Sequence, residues 1–222
     1  MIREATIAGQ TIRIGWMGLI GPYGAKVCLA NRSGLSFIGF DDITGRERSG
    51  ALHDHARELV RELREVHRAD MIVAIFHGGH PEDRALAMAV PGIDVIIAGH
   101  THAPYAETHG KTVISQAGYG GILLGCLDFE WEAGKPVWLN PGESLVPVTS
   151  TLESDPQILA QVEGYKRDIN VLLAGIPKGT PTGTPFSYET PVFELDKDLP
   201  RKRFPDNAAG IFVASGILTE IN

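Results

Sequence analysis

Cysteine is nearly absent from this chain. Two residues, Cys28 and Cys126, stand far apart among 222, each in an apolar segment. That excludes a disulfide framework, and both thiols read as small buried hydrophobes. Long hydrophobic runs are missing too: Met71–Phe76 is far short of the roughly 20 residues that span a bilayer. Met1-Ile2-Arg3-Glu4 lacks the basic-then-apolar order of a secretory signal. Basic charge is also short, with 20 Lys and Arg against 27 Asp and Glu, a net charge of -7 and a pI near 5.6. A nucleic-acid polymer is a poor fit as ligand, because its phosphates require a Lys/Arg surface. A small phosphate ester remains compatible, since bound metal ions can supply positive charge locally.

What is present is the material of a soluble globular fold, 43% hydrophobic and 21% charged residues, enough for one domain or one domain and part of another. Thr11–Leu19 reads as a strand stopped by Gly21-Pro22, and Leu35–Phe40 as a second short strand. From Ala51 to His67 the apolar residues Leu52, Ala56, Leu59, Val60, Leu63 and Val66 recur at helical spacing. Arg57, Glu58, Arg61, Glu62 and Arg64 lie opposite, so the segment is an amphipathic helix packed on a sheet. Met71–Phe76 is a continuous apolar run of the kind a parallel strand shows when buried on both faces. A short helix, Glu82–Ala89, and a second buried strand, Val95–Ala98, complete a βαβ unit.

Ligand sites in such sheets lie at the carboxyl ends of the strands. Here those ends are His77-Gly78-Gly79-His80 and Gly99-His100-Thr101-His102. Residues two apart in extended backbone project to the same side, so His100 and His102 can face one metal or two adjacent ones, with His77 converging from the next strand. A His-x-His pair is by itself equally compatible with two structural histidines. His80 shares the loop with His77 and either faces substrate or is structural. His53, His55, His67 and His109 read as solvated surface residues, and Asp70 and Asp94, at the opposite ends of the strands, as turn residues.

After His102 the texture changes. Thr112–Gln116, Ile122–Trp131 and Pro136–Leu139 read as antiparallel strands, which argues against a (β/α)8 hydrolase barrel. Asp155-Pro156 opens a helix, with Ile158, Leu159, Val162, Tyr165, Ile169, Leu172 and Leu173 along one face. Gly175–Pro185, rich in Gly, Pro and Thr, reads as a linker.

Two segments carry a family resemblance. Ala69-Asp70-Met71-Ile72-Val73-Ala74-Ile75-Phe76-His77-Gly78-Gly79 and Val90-Pro91-Gly92-Ile93-Asp94-Val95-Ile96-Ile97-Ala98-Gly99-His100-Thr101-His102 resemble the "aDvivalsHgG" and "vpGiDviigGHTH" segments of calcineurin-like metallophosphoesterases of the 5'-nucleotidase type. Ser115-Gln116-Ala117-Gly118 resembles the stretch that follows, and the likeness runs to about Leu173. It implies an α/β fold, a partial two-sheet αββα metallophosphoesterase sandwich over residues 1–174. Residues 175–222 would hold the linker and the start of a substrate-binding domain, with Arg203–Ile217 as its hinge.

The resemblance further implies two divalent ions (Zn, Mn, Fe or Co), with His77 and His100 on one and His102 on the other. The family's "DxH", "GDxxD" and "GNHE" motifs, which supply the bridging carboxylate and the general-acid histidine, are not in this sequence. Two bare dications about 4 Å apart repel by roughly 17 kcal/mol at an effective dielectric of 20, more than three neutral imidazoles offset. The expected activity is therefore hydrolysis of nucleotides or cyclic nucleotides, completed by an N-terminal half supplied in cis or in trans. A non-catalytic remnant or binding subunit, and a thiosulfate-ester hydrolase, are the alternatives. The family implies a periplasmic or extracellular setting.

Overall fold

In the computed structural model the described residues are 1–7, 9–27, 35–41, 46–47, 49–175 and 186–189. The chain divides into two compact units, Met1–Leu152 and the residues from Glu153 onward. In the first unit β1 (Ile2–Ile7) and β2 (Gln10–Ile20) form an antiparallel hairpin, followed by the short helix α1 (Pro22–Val27) and a two-residue pairing of β3 (Phe40–Asp41) with β4 (Arg46–Glu47). Next come α2 (Ser49–Arg61), a π-helical turn at Glu62–Val66, β5 (Met71–His77), α3 (His80–Ala89), β6 (Val95–Ala98), β7 (Pro104–His109) and β8 (Thr112–Ala117).

These strands build a six-stranded sheet in the order β1-β2-β5-β6-β8-β7. Its four inner strands are mutually parallel, and β1 and β7 are antiparallel edges. The parallel inner strands are the apolar ones, as burial on both faces demands. On one face Met17, Ile72, Ala74, Phe76, Ile96 and Ile114 pack under Leu52, Ala56 and Val60 of α2 and Leu86 of α3. The spacing of four along α2 puts its three buried residues on a single stripe. On the other face Met71, Val73, Val95 and Val113 meet Trp16, Leu127, Phe129, Trp131 and Trp138. After β8 the short strand β9 (Leu123–Gly125) leads into a second hairpin, β10 (Phe129–Glu132) with β11 (Lys135–Trp138), which carries the last three of those residues. β9 itself pairs with β12 (Leu145–Pro147). The hairpin is a partial second layer, so the α/β sandwich expected from the sequence is present with one extensive β layer and one small one. Between the layers lies an apolar cavity of about 340 Å³ walled by Ile12, Trp16, Val73, Val95, Phe129 and Trp131. Toward the carboxyl ends of the strands the hairpin does not reach, and Ile75 and Ile97 stay 54% and 41% exposed.

The amino ends of the strands are pinned by the two aspartates. Asp94 Oδ2 accepts from Ile72 N at 2.7 Å and from the Arg64 guanidinium at 2.6 Å, and Asp70 Oδ2 accepts from Arg13 N at 2.8 Å. Both therefore lie at the end of the sheet away from the histidines.

Several local expectations need correction. Within Leu35–Phe40 only Phe40 is in a strand, and the Ala51–His67 helix widens to a π turn after Arg61, where His67 N donates to Glu62 O. β8 pairs in parallel with β6 rather than beginning an all-antiparallel region, and Ile122–Trp131 is split into two strands. Cys126 is exposed, not buried, because β9 lies at the margin of the second layer. Cys28 lies outside the described residues, as do Arg203–Ile217 and all of Gly175–Pro185 except Gly175.

The second unit contains α4 (Pro156–Ala174), capped as its sequence requires. Asp155 accepts from Gln157 N at 2.8 Å and Ile158 N at 3.0 Å. Its apolar face is not buried among the described residues. Asn170 Oδ1 accepts from Tyr188 N at 2.6 Å, and Lys166 Nζ lies 5.8 Å from the Tyr188 ring centroid. No helix among the described residues is long and apolar enough to cross a membrane.

Candidate metal centre

β5 and β6 are adjacent and parallel, with Phe76 in register with Ala98. The residues just past that point, His77 and His100, therefore emerge side by side. His77 Nε2 and His100 Nδ1 are 3.0 Å apart, with ring centroids at 4.9 Å and planes at 79°. Glycines make the approach possible. A Cβ on Gly99 would sit 3.1 Å from His77 Nδ1, and one on Gly78 would sit 2.6 Å from the buried ring of Phe76. The Gly99 N–H donates to Phe76 O at 3.0 Å, tying the departing loop back to β5.

The extended-backbone argument for His100 and His102 does not hold, because both have positive φ, 93° and 61°. The chain turns sharply there, and the two rings take different neighbours. His100 meets the edge of Tyr23 at 5.0 Å and 89°. His102 stacks on Tyr119 at 5.1 Å and 18°. The structure thus brings His77 and His100 together and places His102 in a separate aromatic contact. Among the described residues no group of three or more His, Cys, Asp or Glu is placed to hold a metal ion.

The donor pair itself suits a share of such a site. Two imidazole nitrogens on one zinc-like ion, each about 2.0–2.1 Å from it, stand roughly 3–3.4 Å apart, close to the separation observed here. The set contains no carboxylate, so it does not by itself fit a two-ion centre.

His80 is engaged elsewhere. Its Nε2 donates to Glu107 Oε1 at 3.1 Å and its ring stacks on Tyr105 at 4.1 Å and 28°. Arg84 grips Glu107 through two nitrogens, at 2.7 and 2.6 Å. Tyr105 donates its hydroxyl to Asp83, which is fully buried. This network fixes α3 to β7 and sequence reading missed it, because its partners lie more than 20 residues apart and follow no motif. His53 and His55 are half-buried on α2, His67 contacts Glu62 at 3.4 Å, and His109 closes β7.

The network has a pH consequence. Arg84 first, then His80, holds the Glu107 carboxyl down to about 2 from an ordinary 4.5. Glu107 therefore contributes stability that is complete above pH 4.5 and is lost as pH falls from there toward 2. Asp83 acts oppositely: burial raises its carboxyl above 3.8, so its contribution is present below 3.8 and lost as pH rises through the shifted value. Denaturation midpoints measured across about pH 5 to 2 should fall steadily for the wild type and less steeply for Glu107→Gln. Equal slopes would show that the Arg84–Glu107 fork carries no linkage.

Residues 10–104 match the family model described as calcineurin-like phosphoesterase. The chain is 28% identical over 120 residues to the trifunctional nucleotide phosphoesterase protein YfkN of Bacillus subtilis, covering 51% of this chain and 8% of that protein. It is 35% identical over 105 residues to the 2',3'-cyclic-nucleotide 2'-phosphodiesterase/3'-nucleotidase of Salmonella typhimurium, covering 43% and 14%. Its fold is similar to that of a 5'-nucleotidase precursor from Thermus thermophilus, with a TM-score of 0.56 at 19% identity over 81% of this chain and 36% of that one. The chain spans a small part of the length of the curated relatives it matches. Both histidine-bearing strand ends fall within the matched segment, so the similarity to calcineurin-like phosphoesterases extends over the candidate site.

Proposed function

We propose that this chain provides the histidine side of the metal centre of a phosphate-ester hydrolase acting on nucleotides or cyclic nucleotides. The observation that carries the reading is the His77–His100 pair, 3.0 Å between ring nitrogens at the carboxyl ends of neighbouring parallel strands. His77 and His100 would hold one divalent ion and His102 a second, of zinc, manganese, iron or cobalt. Such ions stabilise developing phosphoryl charge and supply a nucleophile at neutral pH. The protein's own part is to orient the imidazoles: Gly99 and Gly78 admit the close approach, and the Phe76 ring anchors the end of β5. The carboxylate ligands are proposed to come from protein outside the described residues, in the same polypeptide or in trans. A periplasmic or extracellular location is part of the same proposal and rests on the family alone.

Metal analysis tests it directly. After dialysis against zinc or manganese and then buffer, the chain should retain at most one ion, weakly, and lose it on acidification as protons compete for the ligands. Two tightly held ions per chain would overturn the donor count. No retention at all would favour a non-catalytic binding subunit.

A further inference from the structure

We propose that the apolar cavity between the two β layers is a binding site for a small, neutral aromatic molecule carrying one carbonyl oxygen, with the Trp16 indole N–H as its hydrogen-bond donor. The inference does not depend on the metal reading, because neither His77 nor His100 lines the cavity. The floor is a row across three adjacent strands: Trp16 of β2 is in register with Val73 of β5, and Val73 with Val95 of β6. Phe129 and Trp131 of the β10–β11 hairpin form the opposite wall. Ile97, which also lines the cavity, is exposed, so a small molecule can enter from solvent.

Size and polarity together select the class of ligand. The volume of about 340 Å³ exceeds the roughly 150 Å³ in which a dry apolar cavity already takes benzene. It also falls within the range of about 300–1,000 Å³ usual for small-molecule sites. Among the described residues no charged side chain lines it, so an ionic ligand would lose its hydration and gain no partner. One polar atom is left over. Trp16 Nε1 is buried and has no hydrogen-bond partner among the described residues. A buried indole N–H ordinarily finds an acceptor, and leaving it unpaired is costly. Water answers this poorly, because it needs about two to four polar partners. No other side chain lining the cavity has a buried polar atom left unpaired. A carbonyl oxygen on an aromatic body meets both demands, accepting from the N–H while its rings fill the apolar space against Val73 and Phe129.

The test uses the full chain with 15N-labelled tryptophan, and two probes of one shape: indan-1-one, which carries the carbonyl, and indane, which lacks it. The chain has three tryptophans, and the indole signal missing from Trp16→Phe assigns that of Trp16. In the wild type indan-1-one should move this signal downfield and bind about tenfold more tightly than indane, the gain from one added hydrogen bond. Trp16→Phe keeps an aromatic wall and removes the donor, so it should bind the two probes equally. The comparison of probes in the wild type stands even if that variant folds poorly. Equal binding of both probes by the wild type, with the Trp16 indole signal unmoved, would overturn the assignment of the donor. Binding of neither probe would overturn the site itself. If the Trp16 signal instead shifts with protein concentration and no probe present, a second copy of the chain fills the cavity and the small-molecule reading is wrong.

Discussion

His100→Ala should weaken zinc or manganese binding by more than about 100-fold, beyond the roughly 10–100-fold typical of losing a group that merely orients a ligand. His100 faces His77 across 3.0 Å, and removing either ring leaves a single imidazole where two donors converged. His77→Ala should therefore match it, and the double variant should be scarcely worse than either single one, because the two rings act as a unit. His53→Ala and His109→Ala, which change histidines on α2 and at the end of β7, should bind as the wild type does. Where the chain is combined with a relative's segment carrying the carboxylate ligands, the same order should appear in hydrolysis of an aryl phosphate. His100→Ala and His102→Ala should each lower turnover by orders of magnitude. Isothermal titration provides the binding series. An affinity unchanged by His100→Ala would sink the assignment of the pair as ligands.

Phe76→Ala should cost about 3–5 kcal/mol of stability, the range for emptying a buried phenylalanine site. Phe76 is 2% exposed, lies between Leu19 and Ala98 in register, and its ring fills the space beneath Gly78. Collapse of the Gly78 backbone into the void would shift the chain directly after His77, so metal affinity should fall along with stability. The neighbouring residue supplies the contrast. Ile75 points to the opposite face of the same strand and is 54% exposed, so Ile75→Ala should cost about 1 kcal/mol or less. Chemical denaturation of both variants, with unchanged dependence on denaturant, measures the difference. Equal losses would mean that the second face is as tightly packed as the first.

The strands that carry the site were legible because their chemistry is local. Met71–Phe76 and Val95–Ala98 are apolar throughout, and burial between two layers leaves such runs few other conformations. The glycine and histidine residues directly after each run then fall at the carboxyl edge. The same locality explains Asp155 as a cap and the stripe of α2. Thr11–Leu19 was legible as a strand and is β2, but the edge strands β1 and β7 were not, because an edge strand has one covered side and its composition resembles that of a loop. His80 could not be assigned from sequence either. Its partners, Tyr105 and Glu107, come from β7, and it is the packing of α3 against β7 that turns a loop histidine into a structural one.

The order of apolar runs, breakers and histidines by itself determined a parallel α/β sheet with His77, His100 and His102 at one edge, since strand period and strand ends are set by neighbouring residues. Tertiary structure alone decided which of those rings meet. Positive φ at His100 and His102 sends the chain out of the strand direction. His100 consequently closes on His77 across the β5–β6 register, while His102 turns to Tyr119 on the loop that leaves β8. Distances between side chains on different elements are fixed by packing and backbone turns, and no spacing along the chain encodes them.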